Sequence, residues 1–202
     1  MARYTVRELL DKAYSDFLGD TKHQLWDDTT LLSFLNDGYV DMAQISKFTQ
    51  KQTIYDFLVG NSTPYTLPQD LIEINFFIES GKDVKTPIDR VSPLNSNEQD
   101  KILLVGMDSF LFNAKEDTQA ILTYWNEPDD LLITDTPELP KTYQMALVHY
   151  ISYRAYKKDQ STTNLEASAM HYKEYMDKVH QLSDIAFKSL QQEPLHTDFQ
   201  GF

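Results

Sequence analysis

Hydrophobic positions near the start of the chain recur three and four residues apart: Val6, Leu9, Leu10, Ala13, Tyr14, Phe17 and Leu18. This spacing predicts an amphipathic helix over 5–18, with Thr5 and Glu8 in capping-box positions and Gly19 as its stop. A second helix is expected after Trp26. Asp28 or Thr29 would cap it, and Leu31, Leu32, Phe34, Leu35, Tyr39, Met42, Ala43 and Ile45 form its apolar stripe, which fades by about Phe48.

From Gln52 the period changes to two. Thr53, Tyr55, Phe57 and Val59 alternate with Gln52, Ile54, Asp56 and Leu58, and Gly60-Asn61 supplies a turn, so 52–59 reads as a strand. Tyr65 to Asp70 is a second, short extended piece that ends where Pro68 disfavours pairing. Leu71–Glu79, Ile102–Val105, Ser109–Asn113 and Gln119–Trp125 complete six short strands. The stretch from Asp89 to Lys101 is a longer excursion with some helical character.

Pro128 and an acidic segment close the β region. Asp135-Thr136-Pro137-Glu138-Leu139-Pro140 then leads into a helix that is apolar or aromatic on nearly every side from Met145 to Tyr156, as expected of a central element. After a polar break from Lys157 to Asn164, a last helix carries Leu165, Ala169, Tyr172, Met176, Val179, Leu182, Ala186 and Leu190, a stripe expected to pack on the buried helix. Glu193-Pro194 stops it, and a tail with Phe199 and Phe202 follows.

The expected fold is therefore α+β: a four-helix core, two helices N-terminal and two C-terminal, with an inserted small antiparallel β domain. The corresponding boundaries are 1–50 for the first helices, 51–127 for the β domain, 128–192 for the acidic connection and last helices, and 193–202 for a C-terminal arm. A length of 202 residues, 41% of them hydrophobic, suits such a single core with an insertion.

Charge narrows the function. The net charge is −13, which disfavours high-affinity nucleic-acid binding through a basic surface. No Lys or Arg falls between Lys115 and Lys141, whereas Glu116, Asp117, Glu127, Asp129, Asp130, Asp135 and Glu138 do. There is no cysteine, hence no disulfide scaffold, thiol nucleophile or thiolate zinc site. Arg3, Arg7, Glu8, Asp11 and Lys12 interrupt any signal-peptide h-region, and the apolar run Ile102–Met107 is far too short for a bilayer, so a cytosolic, non-membrane protein is expected.

Catalytic signatures are missing. No two of His23, His149, His171, His180 and His196 have the four-residue spacing of a zincin helix, and the single Asp177–His180 pair does not make a di-iron bundle. His149, inside the most apolar helix, reads as a core histidine with both nitrogens satisfied. Six scattered glycines form neither a phosphate cradle nor a nucleophile elbow. Asp129, Asp130 and Asp135 fit a solvated acidic face better than paired catalytic carboxylates. No catalytic residue, cofactor or metal site is expected.

Two features exceed the needs of a plain globular domain: the acidic segment between prolines, and a terminal segment whose Phe199 and Phe202 either fray or dock on a partner.

The ordered motifs resemble the adaptor, or head-to-tail connector, proteins of tailed bacteriophages. The resemblance rests on Leu25-Trp26-Asp27-Asp28 through Asn36-Asp37-Gly38, then Tyr65-Thr66-Leu67-Pro68-Gln69-Asp70, then Ser80-Gly81-Lys82. It continues with Leu122-Thr123-Tyr124-Trp125-Asn126-Glu127-Pro128 and closes with Glu138-Leu139-Pro140 before the helix of Tyr150 to Tyr156. It implies a structural virion protein of the neck, assembled in the host cytoplasm, with no enzymatic activity. In such a family several copies, typically twelve, form a ring between the portal protein and the tail, hub or nozzle proteins, and DNA passes through the lumen without sequence-specific binding. The resemblance further implies a portal-contacting arm from Pro194 and Leu195 to Phe199 and Phe202. Glu127, Asp129, Asp130, Asp135 and Glu138 would line the lumen or the tail-facing surface, where like charge prevents DNA from adhering.

Two other readings compete. A soluble carbohydrate- or peptide-binding module would present Tyr55, Tyr65, Tyr124 and Trp125 as an aromatic β face. A carboxylate metalloenzyme would use Asp129, Asp130, Asp177 and His180.

Overall fold

The structure is a computed structural model describing residues 3–20, 22–61, 63–79, 85–86, 88–89, 102–112, 114–159 and 162–192. The fold is α+β, with four α-helices and two small, mainly antiparallel sheets among the described residues. The described chain forms two compact units. One comprises residues up to Phe48 together with Pro128–Gln191; the other is Thr49–Glu127.

In the helical unit, α1 (Val6–Lys12) begins with the expected capping box. The Thr5 amide donates to Glu8 Oε2 at 2.7 Å, and the Glu8 amide donates to Thr5 Oγ1 at 3.3 Å. The helix does not stay α to its end. Ala13–Leu18 form a π-helical turn, stopped by Gly19 at φ 62°, in the left-handed region that glycine enters without strain. α2 (Asp28–Ser46) is capped one residue before the expected positions, by Asp27, whose Oδ1 accepts the Thr30 amide at 2.7 Å.

α3 (Lys141–Asp159) packs on α1, the π-helical turn and α2. Gln144, Ala146, Leu147, Val148, Ile151, Ser152 and Ala155 are fully buried, a face too broad for a surface helix. α4 (Thr162–Gln192) starts almost at once, because α3 runs on to Asp159 through part of the expected break.

The inward face of α4 differs from the apolar stripe. Ser168, His171, Tyr175, Val179 and Leu182 are buried, whereas Leu165, Tyr172 and Phe187 are exposed. Polar side chains can point inward here because each finds a partner. Ser168 Oγ donates to the Tyr153 carbonyl at 3.1 Å, His171 meets His149, and Tyr175 Oη donates to the Gly38 carbonyl at 3.0 Å and to Asp41 Oδ2 at 2.8 Å.

The β unit holds eight strands among the described residues: β1 (Gln50–Phe57), β2 (Tyr65–Thr66), β3 (Leu71–Glu79), β4 (Lys85–Thr86), β5 (Ile88–Asp89), β6 (Ile102–Val105), β7 (Ser109–Phe112) and β8 (Thr118–Asn126). One sheet has the order β1-β8-β3-β4, the other β2-β7-β6-β5, in which β5 and β6 run parallel. β1 starts two residues before the expected strand. Its pairing runs from Gln50 opposite Trp125 to Phe57 opposite Thr118, leaving Leu58 and Val59 exposed at the turn. Phe57, Phe77, Ile102, Phe110, Phe112 and Leu122 form the core of this unit, with Phe57 and Phe112 4.5 Å apart between ring centroids. The unit is closed at its base: Thr49 Oγ1 donates to the Asn126 carbonyl at 2.7 Å, and the Asn126 amide donates to the Thr49 carbonyl at 3.3 Å. The excursion expected after Asp89 lies outside the described residues.

Candidate interaction surfaces

The acidic segment is a strap fastened to the helical unit. The first two amides of α1 have no partner within the helix, and the strap supplies one for each. The Val6 amide donates to the Asp135 carbonyl at 2.8 Å, and the Arg7 amide to the Ile133 carbonyl at 3.1 Å. Asn36, on α2, grips the strap from the other side. Its Oδ1 accepts the Leu131 amide at 3.0 Å while its Nδ2 donates to the Leu131 carbonyl at 3.2 Å. Farther on, the Glu138 amide donates to Tyr39 Oη at 3.2 Å, and Leu139 is fully buried.

This anchoring sorts the five acidic candidates. Asp129, Asp130 and Glu138 are exposed on a backbone held in place. Glu127 is exposed at the end of the β unit, its amide donating to the Asp70 carbonyl at 2.7 Å. Asp135 is half-buried and has a local task, its Oδ2 accepting the Leu132 amide at 2.7 Å. Four carboxylates thus face water with no local requirement seen in their side chains, and Asp135 shapes the turn.

The Asn36-Asp37-Gly38 motif acquires a physical account. Asn36 holds the strap, Asp37 Oδ2 pairs with Arg154 Nη1 at 2.9 Å, and Gly38 admits the ring of Tyr150 against bare backbone. Tyr175, from α4, then donates to the Gly38 carbonyl. Burial and the neighbouring Asp41 carboxylate push the Tyr175 phenol well above its ordinary range, so it remains a donor. Three consecutive residues of α2 therefore connect it to the strap, α3 and α4.

Upstream, Leu25-Trp26-Asp27-Asp28 runs from a loop organised by carboxylates into the first residue of α2. Asp20, 6% exposed, accepts the amides of Gln24, Leu25 and Trp26 at 2.9, 2.9 and 3.0 Å. Burial works to raise the Asp20 pKa, but these three donors outweigh it and hold the carboxyl below its ordinary value. Asp28 receives Arg7 Nη2 at 2.8 Å and the Tyr14 hydroxyl at 3.0 Å, and these offset its own burial in the same direction.

In the β unit two motifs meet. Asp70 accepts Lys51 Nζ at 2.7 Å and the Tyr124 hydroxyl at 3.1 Å. The proposed aromatic face does not assemble there. Tyr124 is 3% exposed and Trp125 8%, and as successive strand residues they point to opposite sides of the sheet. Tyr55 and Tyr65 lean on the internal Phe cluster, and burial pushes the Tyr55 phenol up to about 12.

Asp177 and His180 are exposed on α4, and the described residues hold no group of three or more potential metal ligands. His149 is only half-buried, with Nδ1 3.0 Å from His171 Nδ1. The arm residues Pro194, Leu195, Phe199 and Phe202 lie outside the described residues. Sequence reading missed Gln144, whose polar side chain is fully buried; Oε1 accepts the Tyr4 amide at 2.8 Å and Nε2 donates to the Pro137 carbonyl at 3.1 Å. A lone Gln in an apolar run was the available signal.

A family model described as SU10 adaptor protein matches residues 4–197. No curated protein matches the chain.

Proposed function

Because the chain belongs to the SU10 adaptor protein family, a family of phage head-to-tail adaptors, we propose that it is a ring-forming subunit between the portal and the tail, through which DNA passes. Several copies, twelve by the family resemblance, associate through heterologous contacts around a cyclic axis. The segment Pro194–Phe202 contacts the portal protein, and the β unit meets the tail, hub or nozzle components. The strap acids Asp129, Asp130 and Glu138, with Glu127, face the lumen or the tail side, where DNA slides past without adhering. The role is structural and uses no catalytic residue or cofactor. The complex assembles in the host cytoplasm and is carried in the neck of the virion.

The observation that carries this reading is the family match across nearly the whole chain. The physical roles of the motifs support it: Asn36-Asp37-Gly38 joins the helices and strap, and Asp70 with Tyr124 stiffens the β unit.

Electron cryomicroscopy of the chain mixed with the portal protein of the same phage tests the proposal. The expected image is a ring of this chain stacked on the portal. Deleting 194–202 should abolish the stacking and leave the far-ultraviolet circular dichroism and melting of the free chain unchanged. Absence of any association between the full-length chain and an intact portal ring overturns the reading.

A further inference from the structure

Between α3 and α4, His149 and His171 bring their Nδ1 atoms to 3.0 Å. His171 is 3% exposed and His149 is half-buried. Phe17, from the π-helical turn, packs on both imidazoles with its ring centroid 5.0 Å from each. Tyr156 stacks on His171 at 5.7 Å and donates its hydroxyl to the Phe17 carbonyl. Aromatic rings thus flank the pair.

Two imidazole nitrogens at this distance form a hydrogen bond only when one carries a proton and the other a lone pair. A first added proton can enter at the donor's Nε2 and leave that bond in place. A second must occupy the accepting Nδ1, which sets two N–H groups head to head and two cations in a ring-lined space. The surroundings do not compensate. Burial is the largest influence on both imidazoles and holds each below its ordinary value. On α4, the Glu174 carboxylate acts in the opposite direction on both, and the Lys178 ammonium adds to the effect of burial on His149. From α3 and the π-helical turn, Tyr156 and the apolar Phe17 pack against the pair.

We propose that His149 and His171 form a pH-sensitive latch between α3 and α4, closed while the neutral pair has taken up no more than one added proton and released when it takes up a second. The sign follows from linkage. The unfolded chain binds protons near the ordinary histidine value of about 6.5, and the folded pair resists them. The latch therefore contributes fully above about pH 6.5 and its contribution is lost as pH falls below that.

Imidazole NMR titration of the full chain from pH 8 to 5, assigned with single His→Gln variants, tests the latch. His149 and His171 should titrate below a free-histidine reference, and replacing either should raise the midpoint of the survivor. Hydrogen exchange corrected for its intrinsic pH dependence should show the α4 amides around His171 opening at least tenfold more often at pH 5.5 than at pH 7.5. In His149→Gln that ratio should fall, leaving only what the burial of His171 contributes by itself. Titration of both imidazoles with the free reference overturns the proposal, and so does an exchange ratio that His149→Gln leaves unchanged. Should the variant fail to fold, titration and exchange of the native chain decide alone.

Discussion

A methyl group added to Gly38 would lie 2.7 Å from both Cγ and Cδ1 of Tyr150, because the Tyr150 ring already occupies the space of a side chain at position 38. Glycine inside an exposed helix costs about 1 kcal/mol relative to alanine. Here that cost secures a close approach of α3 to α2, with the same glycine's carbonyl receiving Tyr175 from α4.

Gly38→Ala should therefore destabilise the chain, by about 1–3 kcal/mol in urea denaturation, as overpacked cores do. In a Tyr150→Ala background the same substitution should cost less, since Cγ and the ring are gone and only the Cβ contact at 3.1 Å remains. An unchanged urea midpoint for Gly38→Ala in the native background would mean that ring and backbone are not held together.

Asn36 makes two hydrogen bonds to one residue of the strap, so Asn36→Ala should cost about 1–3 kcal/mol by leaving the Leu131 amide and carbonyl without their partner. The loss should be local. Hydrogen exchange should accelerate across 129–139 more than in the core of α3. Asn36→Asp, which keeps an acceptor for the Leu131 amide and loses the donor, should fall between the native chain and the alanine variant. Uniform acceleration through the whole helical unit would count against a separate strap.

Acid should weaken the loop that precedes α2. The Asp20 and Asp28 carboxyls are held below their ordinary value, so the unfolded chain binds more protons than the folded one as pH drops past about 4. Their contribution is complete above that pH and is lost below it. Asp20→Asn should lower the melting temperature at pH 7 and flatten the further decline between pH 5 and pH 3. A decline as steep in Asp20→Asn as in the native chain would assign the acid sensitivity to other groups.

How much of this was legible depends on whether packing or polar pairing sets the structure. Strands β3 and β6 fall where alternation and β-branched content place them, and the Thr5–Glu8 capping box and Gly19 stop are readable from residue type alone. The inward face of α4 is not. Ser168, His171 and Tyr175 count as polar in any periodicity, so the spacing places Leu165 and Tyr172 inward, whereas they are exposed and the buried polar side chains are satisfied by Tyr153, His149, Gly38 and Asp41, more than a hundred residues away or on the preceding helix. The π-helical turn leaves no periodic mark either, since Tyr14, Phe17 and Leu18 keep the three- and four-residue intervals of an α-helix. The acidic strap was visible as composition, but its separation into exposed Asp129, Asp130 and Glu138 and turn-forming Asp135 depends on which backbone amide each carboxylate meets.

That separation makes the electrostatic part of the proposed function testable without disturbing the fold. Exposed substitutions away from special contacts usually change stability by no more than about 0.5 kcal/mol, so the triple variant Asp129→Lys, Asp130→Lys, Glu138→Lys should fold and assemble on the portal as the native chain does. Asp135 is left alone because its carboxylate accepts the Leu132 amide. If the strap borders the path of DNA, three acids turned basic replace repulsion with attraction. The variant ring should then retain double-stranded DNA in a gel-shift at low salt, and release it as salt rises, since phosphate contacts of this kind are displaced by counterions. The native ring should not retain it. Electron microscopy of both rings comes first, so that failure to assemble is not mistaken for indifference to DNA. Rings that assemble equally and bind DNA equally poorly would place the strap away from the channel, leaving repulsion at the tail-facing surface as the remaining use for its charge.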